Sequence, residues 1–279
     1  MIMFRHLFPQ MRLWTLECSM RLLIRSKLEY TAAQPCDLLL QIEAFSDDEQ
    51  HIVESRIEFD ADSRHHSIAG EEGIGTRRWV TVGPKFECHY DVQVDISRKG
   101  VALDALSETE RTQIPSTVIK YLMPSRYCHP EQFLEFVSVQ FGNLSGGALI
   151  AAMSKWINTN FTYDNASSNA GTTATDSFNS LTGVCRDYAH MLITLARAAG
   201  IPARFVGAYA PGVVPQDFHA VVEVYLDGAW HLVDATGMAK PSEIVRVCVG
   251  RDAADASFMT SYGWMDLVTQ SVEVRRIPA

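Results

Sequence analysis

The chain has 279 residues, 47% of them hydrophobic and 20% charged, a composition that can bury a sizeable core and has room for two domains of ordinary size. With 24 basic against 33 acidic residues, its formal charge of −9 offers no basic field to nucleic acid or to an anionic membrane, and neither is expected as a partner. Six cysteines stand singly at positions 18, 36, 88, 128, 185 and 248, without a Cys-x-x-Cys pair or the density of a disulfide scaffold, so reduced thiols in a cytoplasmic protein are expected.

The first residues, MIMFRHLFPQMRLWTLECSM, break their apolar positions with Arg5, His6, Arg12 and Glu17. That pattern suits neither a signal peptide nor a membrane helix, and no run of 18 apolar residues occurs elsewhere, so no export is expected. From Met20 to about Leu106 short runs alternate apolar with polar residues between turn signals: RLLIRSKLEY, DLLLQIEAF, HIVESRIEFD, RRWVTVG and FECHYDVQVDIS. They predict an antiparallel β-sandwich or open barrel over residues 20–110. Residues 107–130, holding Pro115, Pro124 and Pro130, read as a connector.

Beyond it the period becomes helical in PEQFLEFVSVQFG and GGALIAAMSKWINTNFTYD, and SSNAGTTATDSFNS (167–180) reads as a polar loop. GVCRDYAHMLITLARAAGIP follows, its Gly200-Ile201-Pro202 marking a helix end, so a helix spans about 184–199, near 24 Å. Arg186, His190, Thr194 and Arg197 form one narrow stripe that reads as solvated, with His190 a surface histidine and most of the helix buried. Cys185 shares a row with Ala189, Leu192 and Ala196, so its sulfur lies on the buried side at the first turn. There the unpaired N–H groups and the positive dipole end favour thiolate over thiol.

The stretch FHAVVEVYLDGAWHLVDAT (218–236) is two β-rich runs joined by Asp227-Gly228, which favours a two-residue type I′ turn. In that register Leu226 faces Ala229, His219 faces Thr236, and His219 and Asp234 are diagonal neighbours on one face about 7 to 8 Å apart at the backbone. His231 then points to the opposite face. Glu223 shares the His219 face but lies about 13 Å along the strand. Nucleophile, base and orienter therefore occur in the order Cys185, His219, Asp234.

These blocks, with YLMPSRYC (121–128) and MRLLIRSKLEYTAAQP (20–35), resemble the transglutaminase-like superfamily, in particular bacterial transglutaminase-like predicted cysteine proteases, over about residues 20–240. The resemblance implies an α+β fold: an N-terminal antiparallel β-sandwich or barrel (20–110) followed by a papain-like core (111–279), in which a central helix packs on an antiparallel sheet. Residues 1–19 stand outside the family unit, as an upstream extension or a small extra element. It also implies that Cys185 is the nucleophile, His219 the base and Asp234 the orienter of an enzyme acting on peptide or glutamine carboxamide bonds through a thioester, with a protein or peptide substrate.

Two departures stand out: Ala235 where relatives usually carry Pro after the Asp, and Val221 where an aromatic is common. Val221 shares the His219 face and would alter the groove admitting the acyl acceptor. The Cys185 backbone N–H is one oxyanion donor. The second is open between the 172–177 loop and Trp156, which also fits the core face of its own helix. No cofactor is called for: His65-His66 and the isolated cysteines lack zinc spacing, and no glycine-rich phosphate loop follows a strand. Arylamine acetyltransfer, which uses the same three residue types in this order, is a minor alternative, and a non-catalytic protein-binding module on the same scaffold is the alternative outside enzymes.

Overall fold

The computed structural model describes residues 20–61 and 63–278; the expectation for residues 1–19 lies outside them. Strands β1 (Met20–Ala32), β2 (Cys36–Leu40), β3 (Gln50–Phe59), β4 (Arg64–Ala69), β5 (Thr76–Val82) and β6 (Lys85–Ile96) form the N-terminal unit. Alternation decides the faces: β1 buries Leu22, Ile24, Leu28 and Tyr30, and β6 buries Phe86, Tyr90, Val92 and Val94. Each such side chain contributes about 1.5–3 kcal/mol when taken out of water. Strand β4 has no buried residue and so carries no alternating signal in the sequence.

The second half holds helices α1 (Ser116–Ile119), α2 (Leu134–Phe141) and α3 (Gly146–Asn160), strand β7 (Thr162–Tyr163), helix α4 (Ala174–Ser180), strand β8 (Thr182–Gly183) and helix α5 (Cys185–Ala198). The stretch expected as a polar loop over 167–180 is half helix. Thr173 and Asp176 cap α4 reciprocally, the Asp176 N–H donating to Thr173 Oγ1 at 3.2 Å and the Thr173 N–H to Asp176 Oδ2 at 2.9 Å. Helix α5 ends in a Schellman turn: Gly200 takes φ +85°, Ile201 N donates to Ala196 O and Gly200 N to Arg197 O, both at 2.9 Å.

Strands β9 (Ala203–Tyr209), β10 (His219–Leu226), β11 (Ala229–Val233) and β12 (Val245–Gly250) make an antiparallel sheet in the order β11-β10-β9-β12. Asp227 and Gly228 turn the β10–β11 hairpin with φ of +48° and +75°, which sets Leu226 opposite Ala229 and Val222 opposite Val233. Met191, Leu192 and Leu195 of α5 share one apolar cluster with Val222, Val224 and Leu226, the helix-on-sheet packing expected of the core.

The polar stripe of α5 is not solvated. His190 and Thr194 are fully buried and Arg197 nearly so, because the 121–128 connector and the 251–256 turn cover that face. His190 stacks on Tyr127 at 4.9 Å and its Nε2 accepts from Ala253 N at 3.1 Å. Burial, then the charges of Arg186 and Arg197, hold its pKa well below the usual range. The Arg197 guanidinium donates to the carbonyls of Ala203, Met123 and Arg251 and so ties α5 to three other segments of the chain.

The last residues return to the first unit. Strand β13 (Met259–Ser261) pairs with β2 and β14 (Met265–Ile277) with β1, giving two four-stranded sheets, β14-β1-β6-β3 and β13-β2-β5-β4, which share a buried apolar layer as a sandwich. Residues 259–277, assigned by sequence to the core, therefore complete the sandwich: β14 covers the edge of β1 that β6 leaves open, and Val272 and Val274 extend the buried face. Core and sandwich join through buried polar contacts. Tyr209 Oη donates to Ile42 O at 2.8 Å, Arg204 donates to Glu72 Oε2 at 2.9 Å, and Arg246 donates to Asp47 Oδ2 and, from its backbone N–H, to Gln50 Oε1 at 2.9 Å, while on the core side Glu223 accepts from both arginines at 2.7 and 2.8 Å. Burial would raise the Glu223 carboxyl, but the two guanidinium charges and their hydrogen bonds lower it. Among the described residues no single helix is long and apolar enough to cross a membrane.

Candidate active site

The site begins where β8 runs into α5. A Cβ on Gly183 would stand 2.6 Å from the Asp187 Cβ, so only glycine lets the strand pass this close to the helix. Asp187, fully buried, reaches back to accept the Val184 N–H at 2.9 Å, which satisfies an orphan donor at the helix start. Arg186 donates to Asp187 Oδ1, Ser168 Oγ and Asn169 O at 2.6 to 3.3 Å and ties the 165–172 loop to the same turn. Cys185 is held, half-buried, at the positive end of α5.

His219 opens β10 and is 2% exposed. Its Nε2–H donates to Asp234 Oδ2 at 3.0 Å, the diagonal contact that the hairpin register requires. Asp234 is fixed in turn: Oδ1 accepts from the Thr236 N–H and hydroxyl at 2.8 and 2.7 Å, and Oδ2 also accepts from Ala239 N at 2.8 Å. Burial would raise this carboxyl, yet the His219 hydrogen bond and charge, with Thr236 and Ala239, lower it.

Burial likewise opposes charge on the His219 ring. The Asp234 hydrogen bond, the hydrogen bond and charge of Cys185, and the Asp234 charge outweigh it and raise the ring to about 10. The ring's other nitrogen, Nδ1, is buried and has no hydrogen-bond partner of good geometry among the described residues. Cys185 and His219 line one cleft of about 460 Å³. The three sequence-selected side chains therefore meet: carboxylate behind the imidazole, thiol in front of it, at a helix start.

The cleft has a second wall that the sequence did not reveal. Phe218 and Phe258 stack at 4.4 Å with planes 5° apart, and Gln41, Met259 and Gln270 come from the sandwich side. The residue before His219 is aromatic, but nothing local pairs it with Phe258, 40 positions on. Val221, expected to shape the groove, does not line the cleft. It is buried in a separate apolar cluster with Val206 and Leu232 on the sheet.

Neither candidate for the second oxyanion donor lines the cleft either. Thr173 and Asp176 are consumed in capping α4, and Trp156 packs against Phe136 and Phe178 at 5.1 and 5.8 Å. Ala235 leaves the carboxylate in place, since Thr236 and Ala239 hold Asp234 without a proline. Glu223 is engaged by arginines, apart from His219. Among the described residues no three His, Cys, Asp or Glu side chains are grouped as a metal site.

Residues 142–235, which contain Cys185, His219 and Asp234, match the model of the transglutaminase-like superfamily. Its fold is similar to the crystal structure of a "putative cysteine protease" from Cytophaga hutchinsonii, with a TM-score of 0.87 and 28% identity over 94% of this chain and 92% of that one. It is less similar to the periplasmic domain of TgpA from Pseudomonas aeruginosa, with a TM-score of 0.45 and 17% identity over 81% and 92% of the two chains. An uncharacterized protein of Mycobacterium leprae (strain TN) is 24% identical over 116 residues, 39% of this chain and 42% of the relative, so the match spans under half of that protein.

Proposed function

We propose that this transglutaminase-like chain is a cysteine-dependent acyl-transfer enzyme acting on peptide or glutamine carboxamide bonds. The observation that carries the reading is the His219–Asp234 hydrogen bond of 3.0 Å, its imidazole turned to the cleft that Cys185 lines. The Cys185 sulfur attacks the carbonyl carbon, forming a C–S bond as the carbonyl electron pair moves to oxygen. The C–N bond then breaks, and the leaving amine takes a proton from the His219 imidazolium, whose pKa near 10 keeps it charged until an amine of rising basicity needs it. Water or a primary amine, relieved of a proton by His219, releases the acyl group from sulfur. Asp234, bonded on both oxygens, holds the ring in one orientation throughout.

A protein or peptide substrate fits a cleft whose wall is aromatic at Phe218 and Phe258 and polar at Gln41 and Gln270, with volume for a side chain and its flanking backbone. The test is one incubation with a glutamine-containing casein-like protein and a fluorescent primary amine, following amine incorporation and peptide cleavage together. Either product from the wild-type chain, absent with Cys185→Ala, supports the proposal. Wild type and Cys185→Ala giving the same null result overturn it.

A further inference from the structure

Attack by sulfur places negative charge on the carbonyl oxygen, and one backbone N–H leaves that oxygen half-solvated; a second donor must point to the same spot. The short parallel pair β7–β8 sets Tyr163 opposite Gly183, two residues ahead of Cys185, with Asp164 N donating to Gly183 O at 3.0 Å. On the other side the Tyr163 ring lies 5.9 Å from the ring of Tyr188, which is buried one turn along α5. The phenol is thus braced by the strand entering α5 and by the first turn of α5, flanking Cys185, and it lines the same cleft.

Its hydroxyl shares the cleft with Cys185, whose charge, backbone N–H and thiol all act on it. Burial and the Cys185 charge push the phenol up, and only the Cys185 N–H acts in the opposite direction. Tyr163 therefore remains a neutral O–H donor. Four other polar side chains of the cleft are engaged elsewhere. Tyr127 Oη donates to Ala170 O, Gln41 Nε2 to Asp255 O and Ser257 O, Gln270 Nε2 to Asp217 Oδ1, and Arg186 to the loop and Asp187.

We propose that the Tyr163 hydroxyl is the second oxyanion donor, paired with the Cys185 backbone N–H. The inference rests on the acyl-transfer reading above. As the C–S bond forms, Tyr163 Oη–H donates a hydrogen bond to the oxyanion and keeps its proton; when the carbonyl re-forms and the amine leaves with the proton from His219, that hydrogen bond weakens again.

The test is Tyr163→Phe in the full chain, which keeps the ring packing and removes only the donor. Turnover of the glutamine-containing substrate and alkylation of Cys185 by iodoacetamide are measured side by side, with Cys185→Ala as control. Alkylation forms no oxyanion. The expected result is a kcat lowered about 100-fold or more with KM little changed, and alkylation within about threefold of wild type. A kcat within threefold of wild type, with Cys185→Ala inactive, overturns the role of Tyr163 alone. Parallel loss of turnover and alkylation also overturns it, since Tyr163 would then be acting on the sulfur. Wild type and Cys185→Ala equally inactive would overturn the acyl-transfer reading and this inference with it.

Discussion

Replacing Asp234 by Asn isolates what the carboxylate does. The side chain keeps its shape and can still meet Thr236, but the charge and the preferred acceptor for His219 Nε2–H are gone. The ring stands at about 10 against an ordinary 6.5, a gain of about 5 kcal/mol for the charged form, won against its own burial. With Asp234 neutral, burial persists and the hydrogen bond and charge of Asp234 no longer oppose it, which leaves only Cys185 to raise the ring, so its pKa falls. Turnover should drop about 10²- to 10⁴-fold, the upper end matching loss of orientation as well as charge. Titration of the His219 ring by NMR, in wild type and Asp234→Asn, reads the cause directly. A ring that titrates at the same pH in both proteins would refute the argument, whatever happens to the rate.

Three further outcomes follow from the packing. Read as the difference between wild type and His219→Gln, the His219 contribution to unfolding free energy should be present in full below about pH 6.5 and lost as pH rises through the ring's raised folded value; a difference that grows with pH would reverse the sign. Gly183→Ala forces a methyl group to 2.6 Å from the Asp187 Cβ and should cost about 1–3 kcal/mol in urea unfolding while lowering turnover, since the α5 start must shift; unchanged stability would show that the turn relaxes freely. Arg246→Met leaves Glu223 buried with Arg204 as its remaining guanidinium partner and should destabilise by about 3 kcal/mol or more, read as a lower urea midpoint, whereas a neutral effect would mean that the network is not needed to join sandwich and core.

Local signals carried the parts of this architecture that are local. The glycine-capped helix and the hairpin about the Asp227-Gly228 turn are each set by fewer than 20 consecutive residues, and from the hairpin register the His219–Asp234 contact follows directly. What failed had distant causes. The α5 stripe of Arg186, His190, Thr194 and Arg197 has a solvated period, and only the arrival of the 121–128 and 251–256 segments makes it an interior. The side of the sheet that Val221 occupies was right, since it pairs with the Asp234 face, but what covers that side is set by Ile244 and Val249 far downstream. Tyr163 was invisible for the same reason: FTYD closes a run of helical period, and only its two-residue pairing with Thr182-Gly183 carries it to Cys185. Strand β14 escaped because half of it is exposed and just two of its residues, Val272 and Val274, are buried.

The neighbouring of β1 and β14 has a temporal implication. A ribosome makes the edge of the first sheet some 240 residues after the strand it adjoins, and the cleft borrows Met259 and Gln270 from that same late segment. Helix α5 and its hairpin can assemble earlier, yet the mouth through which a substrate would enter has no floor on that side until translation is nearly done.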